Sequence, residues 1–306
     1  MTSGTNILLF GQKIKLLPIY SYCKENNYNI RVLDIANPHA HDSFDISQEQ
    51  KFNDDFIPDL IINFKEQEKY LIKEKQLSEK YGLDTFLTED NIKFFSDKSE
   101  QDRIFKSLNI PTVPNDSDTL IQKTNLSGGT NFKIVNRSDS KGFCQNLLDI
   151  HYIVSCHFYA DDRYWYWLNN HIMYYENNCP RSSYAPYMFN TNSIEYYIKK
   201  LSKQIPIRNK LFGWQFLFDK FGNMYSIDFN LRPFGGFDKG SYDTEVSNES
   251  WTSYLFGKTP PSTIDYYKSV RCVYKEKLQF GYSNIDRIVT KLKDPISHEV
   301  KKYDTL

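Results

Sequence analysis

The sequence predicts a mixed α/β and α+β protein, with a small parallel α/β domain ahead of a larger antiparallel portion. Three observations support this fold class. Over roughly the first 90 residues, short apolar runs alternate with helix-like segments, as in parallel β-α units. From residue 119 onward, strand-like runs follow one another closely with turns between them, as in antiparallel sheets. A chain of 306 residues also exceeds what one hydrophobic core usually holds.

The N-terminal part is predicted to contain three strands separated by helices. The apolar runs that predict these strands cover residues 6–11, 30–36 and 58–64. The segment after the first strand has helical spacing, although Pro18 argues for a late or kinked start. A polar, amphipathic helix is predicted over 66–83, ending at Gly82. The next helix lies in "SDKSEQDRIFKSLNI", with Ser96 as its predicted N-cap.

The second half is predicted to consist mainly of antiparallel strands. Strand patterns cover residues 119–124, 131–136, 152–160, 163–168 and 171–177. A helix is predicted over 193–205, and a hairpin over 212–232 turns at residues 219–222. After about residue 251, turns and charged runs alternate without a clear assignment.

Charge and cysteine content narrow the class of protein. Lys plus Arg and Asp plus Glu number 38 each, which gives no basic excess for a nucleic-acid surface. Five cysteines without a CxxC pair indicate reduced thiols rather than a disulfide framework. The N-terminus does not resemble a signal peptide, and no apolar stretch approaches the roughly 20 residues that span a bilayer. We therefore expect a cytoplasmic protein without nucleic-acid or membrane partners; a homo-oligomer is left open.

The clearest chemical pattern lies in "NMYSIDFNLRPFGG", residues 223–236. Asp228, Asn230 and Arg232 occupy alternate positions, which share one face of a strand. Carboxylate and amide oxygens suit a hard divalent cation, and an arginine suits phosphate or carboxylate. Taken alone, the pattern would fit a solvent-facing strand with a surface salt bridge better than a functional site.

The predicted hairpin adds a third oxygen donor. With the turn at 219–222, Gln215 falls on the strand opposite Asp228, near enough in a simple register to share an ion. An oxygen-lined cation beside an arginine is the outline of a phosphoryl-transfer site.

Two lysines and a glycine turn are candidates for binding phosphates. Lys98 lies in "SDKSE", and Lys123 ends a predicted strand just ahead of "NLSGGT". Backbone N–H groups of a glycine-rich turn approach phosphate oxygens closely, while a nearby lysine neutralises their charge. Because the turn joins two strands, it differs from the GxxxxGK[ST] loop that opens a helix.

In this order, "SDK…NIPTVP", "LIQKTNLSGGTNFKIV" and "FGWQFLFDKFGNMYSIDFNLRP" resemble the ATP-grasp superfamily over roughly residues 6–240. The resemblance implies that two α+β subdomains hold ATP between them, behind a smaller α/β domain. The implied division is an N-terminal pre-ATP-grasp domain at 1–90, a small lid subdomain at 91–160, and a large subdomain with a C-terminal extension at 161–306.

The resemblance assigns the nucleotide contacts by position. Lys98 and Lys123 would contact ATP phosphates, and a flap over them would be formed by Ser127, Gly128 and Gly129. The nucleotide would be ATP with Mg²⁺ or Mn²⁺.

Three further residues would hold the cation. These are Gln215, Asp228 and Asn230, although many family members carry Glu at the first two positions. Arg232 would stabilise charge on the transferring phosphate. Arg181, in "NNCPRSSY", resembles the family arginine that meets the carboxylate substrate or the acylphosphate.

The sequence departs from the family at the hinge that reads adenine. The usual acidic residue is missing, and "VSCHFYADD" (154–162) stands in its place. Backbone groups from Cys156 to Phe158 are the expected replacement, with Asp161 or Asp162 at the ribose.

The resemblance implies an ATP-dependent carboxylate–amine ligase that forms an amide through an acylphosphate and releases ADP and phosphate. Its substrates would be a small, amino-acid-like carboxylate and an amine. Two alternatives remain open: a nucleotide-binding protein without ligase activity, and a kinase-like member that stops at phosphoryl transfer.

Overall fold

The computed structural model describes residues 4–36, 51–123, 132–176, 179–185, 192–232, 252–260, 262–266, 270–274, 287–291 and 296–305. These residues form five α-helices and sixteen strands, arranged in four sheets. The mixture of a parallel N-terminal sheet with antiparallel sheets confirms the predicted fold class. None of the helices in these ranges is long and apolar enough to cross a membrane.

A small parallel sheet forms the N-terminal part, with strand order β2-β1-β3. Its elements are β1 (Asn6–Gln12), α1 (Lys13–Glu25), β2 (Asn29–Ala36), β3 (Leu60–Asn63) and α2 (Glu68–Tyr81). The run from Ile7 to Phe10 is fully buried because β1 is the central strand and is covered on both faces. Helix α2 ends at Gly82 as predicted, with a left-handed φ of 68°. Helix α1 begins before Pro18 rather than after it.

Two short helices, α3 (Glu89–Ser96) and α4 (Lys98–Ser107), lead to the second half. The predicted cap was one residue off. Asp97, not Ser96, caps α4, since its carboxylate accepts the backbone N–H of Ser99 at 2.8 Å. Ser96 instead ends α3 and donates its hydroxyl to the carbonyl of Ile92. This cap makes Lys98 the first residue of α4.

A small antiparallel sheet follows, with strand order β5-β4-β6. It contains β4 (Thr119–Lys123), β5 (Phe132–Asn136) and β6 (Cys144–Asn146). The predicted flap residues Ser127, Gly128 and Gly129 lie between β4 and β5, outside the described residues.

The largest sheet has eight strands, in the order β11-β10-β7-β8-β9-β13-β14, with β16 also paired to β8. Its strands are β7 (Ile150–Ala160), β8 (Tyr164–Glu176), β9 (Cys179–Ala185), β10 (Lys210–Asp219), β11 (Met224–Asn230), β13 (Val270–Tyr274), β14 (Arg287–Lys291) and β16 (Lys301–Asp304). The remaining elements are helix α5 (Asn192–Leu201) and the paired strands β12 (Thr263–Tyr266) and β15 (Ile296–Glu299). The two runs predicted at 163–168 and 171–177 form one continuous strand, β8.

Strand β7 belongs to the large sheet, where it pairs with both β8 and β10. A boundary drawn by sheet membership therefore falls between Asn146 and Ile150 rather than at residue 160. The division into three domains otherwise stays a prediction.

The two faces of the large sheet have different partners. One face packs into a core built on Trp165, Trp167, Trp214 and Phe229, together with helices α3, α4 and α5. The other face reaches the N-terminal sheet, where Tyr159 and its neighbours share a second core with residues of β1. Polar residues on this second face, at the β10–β11 edge, form the candidate site.

Candidate active site

The hairpin of β10 and β11 places the predicted metal ligands side by side. Gln215 pairs with Asp228, in agreement with the predicted closeness of the two side chains, and Gly213 pairs with Asn230. The register then shifts, so that Phe216 pairs with Ser226 and Ile227 is the extra residue of a β-bulge. Because of this bulge, Ser226 accepts the indole N–H of Trp214 at 2.6 Å in the core, while Asp228 and Asn230 share the face of Gln215.

Lys98 meets these ligands from the first turn of α4. Its ammonium nitrogen contacts Oδ1 of Asp228 and lies 3.3 Å from Oδ1 of Asn230 and 3.5 Å from Oε1 of Gln101. Gln101 also donates its side-chain amide to the carbonyl of Phe229 at 2.7 Å, which attaches α4 to β11. Three side-chain oxygens thus surround one cationic group.

The same oxygens fit a divalent cation. Asp228 and Asn230 already direct oxygens at one positive charge, and Asn230 donates its amide to the second oxygen of Asp228 at 2.9 Å. Hard cations such as Mg²⁺ take carboxylate and amide oxygens as ligands. Among the described residues, no group of three His, Cys, Asp or Glu side chains forms a metal cluster, so a site here would depend on amide oxygens.

Gln215 is held from the side away from Asp228. Its amide nitrogen donates to the hydroxyl of Ser155 at 2.8 Å, and Ser155 lies opposite it on β7. The amide oxygen is therefore directed away from Ser155, so that it can serve a cation shared with Asp228.

Arg232 is buried and paired with an acid from the N-terminal part. One of its terminal nitrogens lies 2.9 Å from Oε1 of Glu66, and the two side chains are only 8% and 6% exposed. Glu66 follows strand β3, 166 residues away in the chain. Sequence reasoning missed Glu66, because nothing in "KEQEKY" marks one acid among several as buried.

Lys123 ends β4, where it adds a second positive group near the first. Burial lowers its pKa to about 8, while the negative charge of Asp102 acts in the opposite direction. Burial also lowers the pKa of Lys98 to about 7; Glu66 opposes this shift, and the positive charges of Lys123 and Arg232 add to it. The contact with Asp228 favours the ammonium form of Lys98.

The predicted adenine hinge at Cys156 and Phe158 lies inside the large sheet, and its contact with adenine stays a prediction. Both side chains are fully buried in the core, and both residues lie in the middle of β7. Cys156 pairs with Trp214 on one side and Asn170 on the other, while Phe158 pairs with Phe212 and Trp167. The pairing on both sides takes up most backbone groups of β7, although the register to β8 shifts between His157 and Phe158.

Asp161 is also engaged elsewhere. Its carboxylate accepts the backbone N–H groups of Arg163 and Tyr164, each at 2.8 Å, and the hydroxyl of Tyr166 at 2.6 Å. These bonds close the turn from β7 to β8, so a ribose contact there would have to compete with them.

Arg181 lies in β9 between Pro180 and Ser182, which pair with Tyr175 and Tyr174 of β8. The register between the two strands shifts at this point. Strands β7 and β8 separate β9 from β10 in the sheet. The structure therefore brings Lys98, Gln215, Asp228 and Asn230 together on neighbouring elements, while the role of Arg181 stays a prediction.

Comparison with solved structures identifies the fold. The chain resembles N5-carboxyaminoimidazole synthetase from Staphylococcus aureus, solved with ADP, with a TM-score of 0.66 and 17% identity over 90% of this chain and 83% of that one. It also resembles an L-amino acid ligase from Bacillus licheniformis, with a TM-score of 0.57 and 10% identity over 90% of this chain and 80% of that one. A third similar structure is a protein ascribed to the ATP-grasp superfamily, from Archaeoglobus fulgidus, with a TM-score of 0.57 and 14% identity over 98% and 99% of the two chains.

These similarities show that the chain has the ATP-grasp fold, as the sequence motifs predicted. No protein-family model matches the sequence, and a search of curated proteins returned no match.

Proposed function

We propose that this protein is an ATP-dependent ligase that joins a small carboxylate to an amine through an acylphosphate. The observation that carries the proposal is the convergence of Lys98, Asp228 and Asn230 beside the buried Arg232, on the fold of the similar ligases. The structure from Staphylococcus aureus was solved with ADP and another similar structure with ATP, which supports ATP as the nucleotide.

The site residues divide the work of binding and charge stabilisation. Asp228, Asn230 and Gln215 would hold Mg²⁺ or Mn²⁺, which supplies positive charge between the phosphates. Lys98 would exchange its contact with Asp228 for one with a phosphate oxygen, and Lys123 would neutralise a second phosphate. Arg232 would face the transferring group, with Ser127, Gly128 and Gly129 as a flap and Arg181 at the acceptor.

Two bond exchanges complete the reaction. A carboxylate oxygen of the first substrate bonds to the γ-phosphorus of ATP as the bond from that phosphorus to ADP breaks. The amine nitrogen of the second substrate then bonds to the acyl carbon, phosphate leaves, and the nitrogen loses a proton. The chain need supply no nucleophile, because positioning and electrostatic stabilisation can account for the catalysis.

ADP release with Mg·ATP and a panel of amino acids tests this proposal. We expect substrate-dependent ADP and phosphate, and an amide product by mass spectrometry. Replacing Asp228 by Asn should reduce the rate by about a hundredfold, since a charged ligand is lost. Asp149→Asn is the matched control, because Asp149 forms a half-exposed ion pair with Lys220 at the surface.

A binding protein without ligase activity is the second candidate. Two departures from the usual Glu favour it: Gln215 removes one negative charge, which weakens the binding of a divalent cation, and Asp228 keeps the charge on a shorter side chain. Tight binding of ATP without substrate-dependent ADP would support this alternative. A phosphorylated carboxylate without any amide product would instead indicate a kinase-like reaction.

A further inference from the structure

Glu66 lies in an unexpected place for an acid, beside groups that would receive phosphate. We propose that Glu66 is a positioning residue that orients the guanidinium of Arg232 toward the transferring phosphoryl group, and so ties the phosphate site to the N-terminal sheet. This inference rests on the proposed function and adds a residue from outside the two nucleotide-binding subdomains.

The geometry of the pair supports an orienting role. Oε1 of Glu66 lies 2.9 Å from a terminal nitrogen of Arg232, and both side chains are more than nine-tenths buried. A guanidinium presents five N–H donors in a rigid plane, so a partner on one edge determines where the others point. Arg232 comes two residues after Asn230, so the plane is set next to the proposed metal ligands.

The backbone that carries Glu66 is itself braced. The side chain of Asn63, the last residue of β3, accepts the backbone N–H of Lys65 at 2.7 Å and donates to Glu74 at 2.8 Å. Glu74, on α2, forms a buried ion pair of 2.6 Å with Lys210, the first residue of β10. The chain therefore leaves β3 in a conformation fixed by both α2 and the large sheet.

The charges also indicate a functional placement. Glu66 acts electrostatically on Lys98 as well as on Arg232, so one carboxylate serves two of the proposed phosphate-binding cations. If Glu66 served only to hold the N-terminal part against the large sheet, it would duplicate the role of the Glu74–Lys210 pair, which joins the same two parts. Its contact with a proposed catalytic group distinguishes Glu66 from Glu74.

The experiment compares how tightly Mg·ADP binds with and without aluminium fluoride, a mimic of the transferring phosphoryl group. In the unchanged protein, aluminium fluoride should increase ADP affinity. Glu66→Gln should change Mg·ADP affinity by less than about threefold, but reduce the gain from aluminium fluoride by about tenfold or more. Arg232→Lys should lose the gain in the same way, because the planar fork is missing.

The matched control is Glu74→Gln, which neutralises the other buried acid of this interface. It should lower the unfolding temperature but reduce the gain from aluminium fluoride by less than about threefold, because Glu74 reaches Glu66 only through Asn63 and the backbone. If Glu66→Gln does not fold, Glu66→Asp keeps the charge but shortens the side chain, and should also reduce the gain.

The outcomes separate the two proposals. If aluminium fluoride increases the ADP affinity of the Glu66 variants as much as that of the unchanged protein, the positioning role is overturned and the proposed ligase activity is not affected. An equal loss in Glu66→Gln and Glu74→Gln also overturns it, since the effect is then one of general packing. No gain in the unchanged protein overturns the proposed phosphoryl transfer and the positioning role together.

Discussion

The surroundings of Gln215 would orient its neutral side chain as a metal ligand. Its amide carries one oxygen and one nitrogen on the same carbon, and only the oxygen can bind a cation. The hydroxyl of Ser155, on the neighbouring strand β7, accepts a hydrogen bond from this nitrogen at 2.8 Å, and Ser155 is itself buried. In this arrangement the hydroxyl occupies the amide nitrogen and leaves the amide oxygen for a cation.

Ser155→Ala should therefore raise the Mg²⁺ concentration needed for half-maximal ADP binding by about three- to tenfold, since one hydrogen bond no longer orients the amide. A magnesium titration at fixed ADP measures this. Adding Gln215→Glu to this variant should return the required Mg²⁺ concentration to that of the unchanged protein, because the two oxygens of a carboxylate are equivalent. Ser202→Ala removes another buried hydroxyl, which donates to the carbonyl of Asp304 away from the site, and should have no effect. Failure of the Glu substitution to rescue would contradict the explanation.

Lys123 predicts a pH dependence of nucleotide binding. Its pKa in the free protein is about 8 because of burial, and a bound polyphosphate would raise that pKa. Binding then takes up a proton, so ADP affinity should be greatest below pH 8 and decline as the pH rises above it. Calorimetry across this range in two buffers would show the uptake. Lys123→Arg, which stays charged, should flatten this part of the profile; an unchanged profile would exclude Lys123 from the phosphate site.

Helix α4 connects a local capping rule to the position of Lys98. Asp97 caps the helix through the backbone N–H and the hydroxyl of Ser99, at 2.8 and 2.6 Å. Lys98 is the next residue, and Gln101, one turn later, attaches the helix to β11. If α4 began at a different residue, the ammonium group of Lys98 would therefore move relative to Asp228.

Asp97→Ala should lower the free energy of unfolding by about 1 kcal/mol and also weaken Mg·ADP binding by several-fold. Chemical denaturation and calorimetry measure the two effects separately. Thr88→Ala is the matched control, since Thr88 caps α3 through the N–H of Asn91 at 3.2 Å and does not touch the site. It should reduce stability similarly but leave the ADP affinity unchanged; equal weakening of ADP binding by both variants would deny α4 a specific role.

At the scale of the whole molecule, buried ion pairs join the N-terminal sheet to the large sheet. Glu74 and Lys210 are each 7% exposed and lie 2.6 Å apart. Removing one charge leaves the other buried without its compensating ion, which is expensive in free energy.

Glu74→Gln should therefore lower the free energy of unfolding by about 3 kcal/mol, measured by urea denaturation. Glu79→Gln breaks a more exposed pair with Lys75 on the same helix and should cost about 0.5 kcal/mol or less. Similar losses for the two variants would mean that the Glu74 pair is solvated rather than buried in solution.

Sequence periodicity predicted most elements because they follow local rules. The turn at 219–222 was readable and brings Gln215 close to Asp228, but their direct pairing also depends on the one-residue shift at Ile227. The bulge at Ile227 was not readable, because it depends on how Ser226 meets Trp214 in the core. The position of Cys156 in the middle of the large sheet was not readable either, because an apolar run does not reveal that both edges of its strand are paired.

The contact of Lys98 with Asp228 has a consequence for the order in which ligands arrive. The chain supplies its own counter-ion, so the carboxylate is neutralised before any metal is present. Free ATP would have to draw Lys98 away and leave Asp228 bare beside four negative charges, whereas Mg·ATP replaces one cation by another in the same event. Metal and nucleotide binding would then be thermodynamically linked, each strengthening the other by the same factor. In the proposed site the lysine would act as a sensor that distinguishes a metal-loaded nucleotide from a bare one.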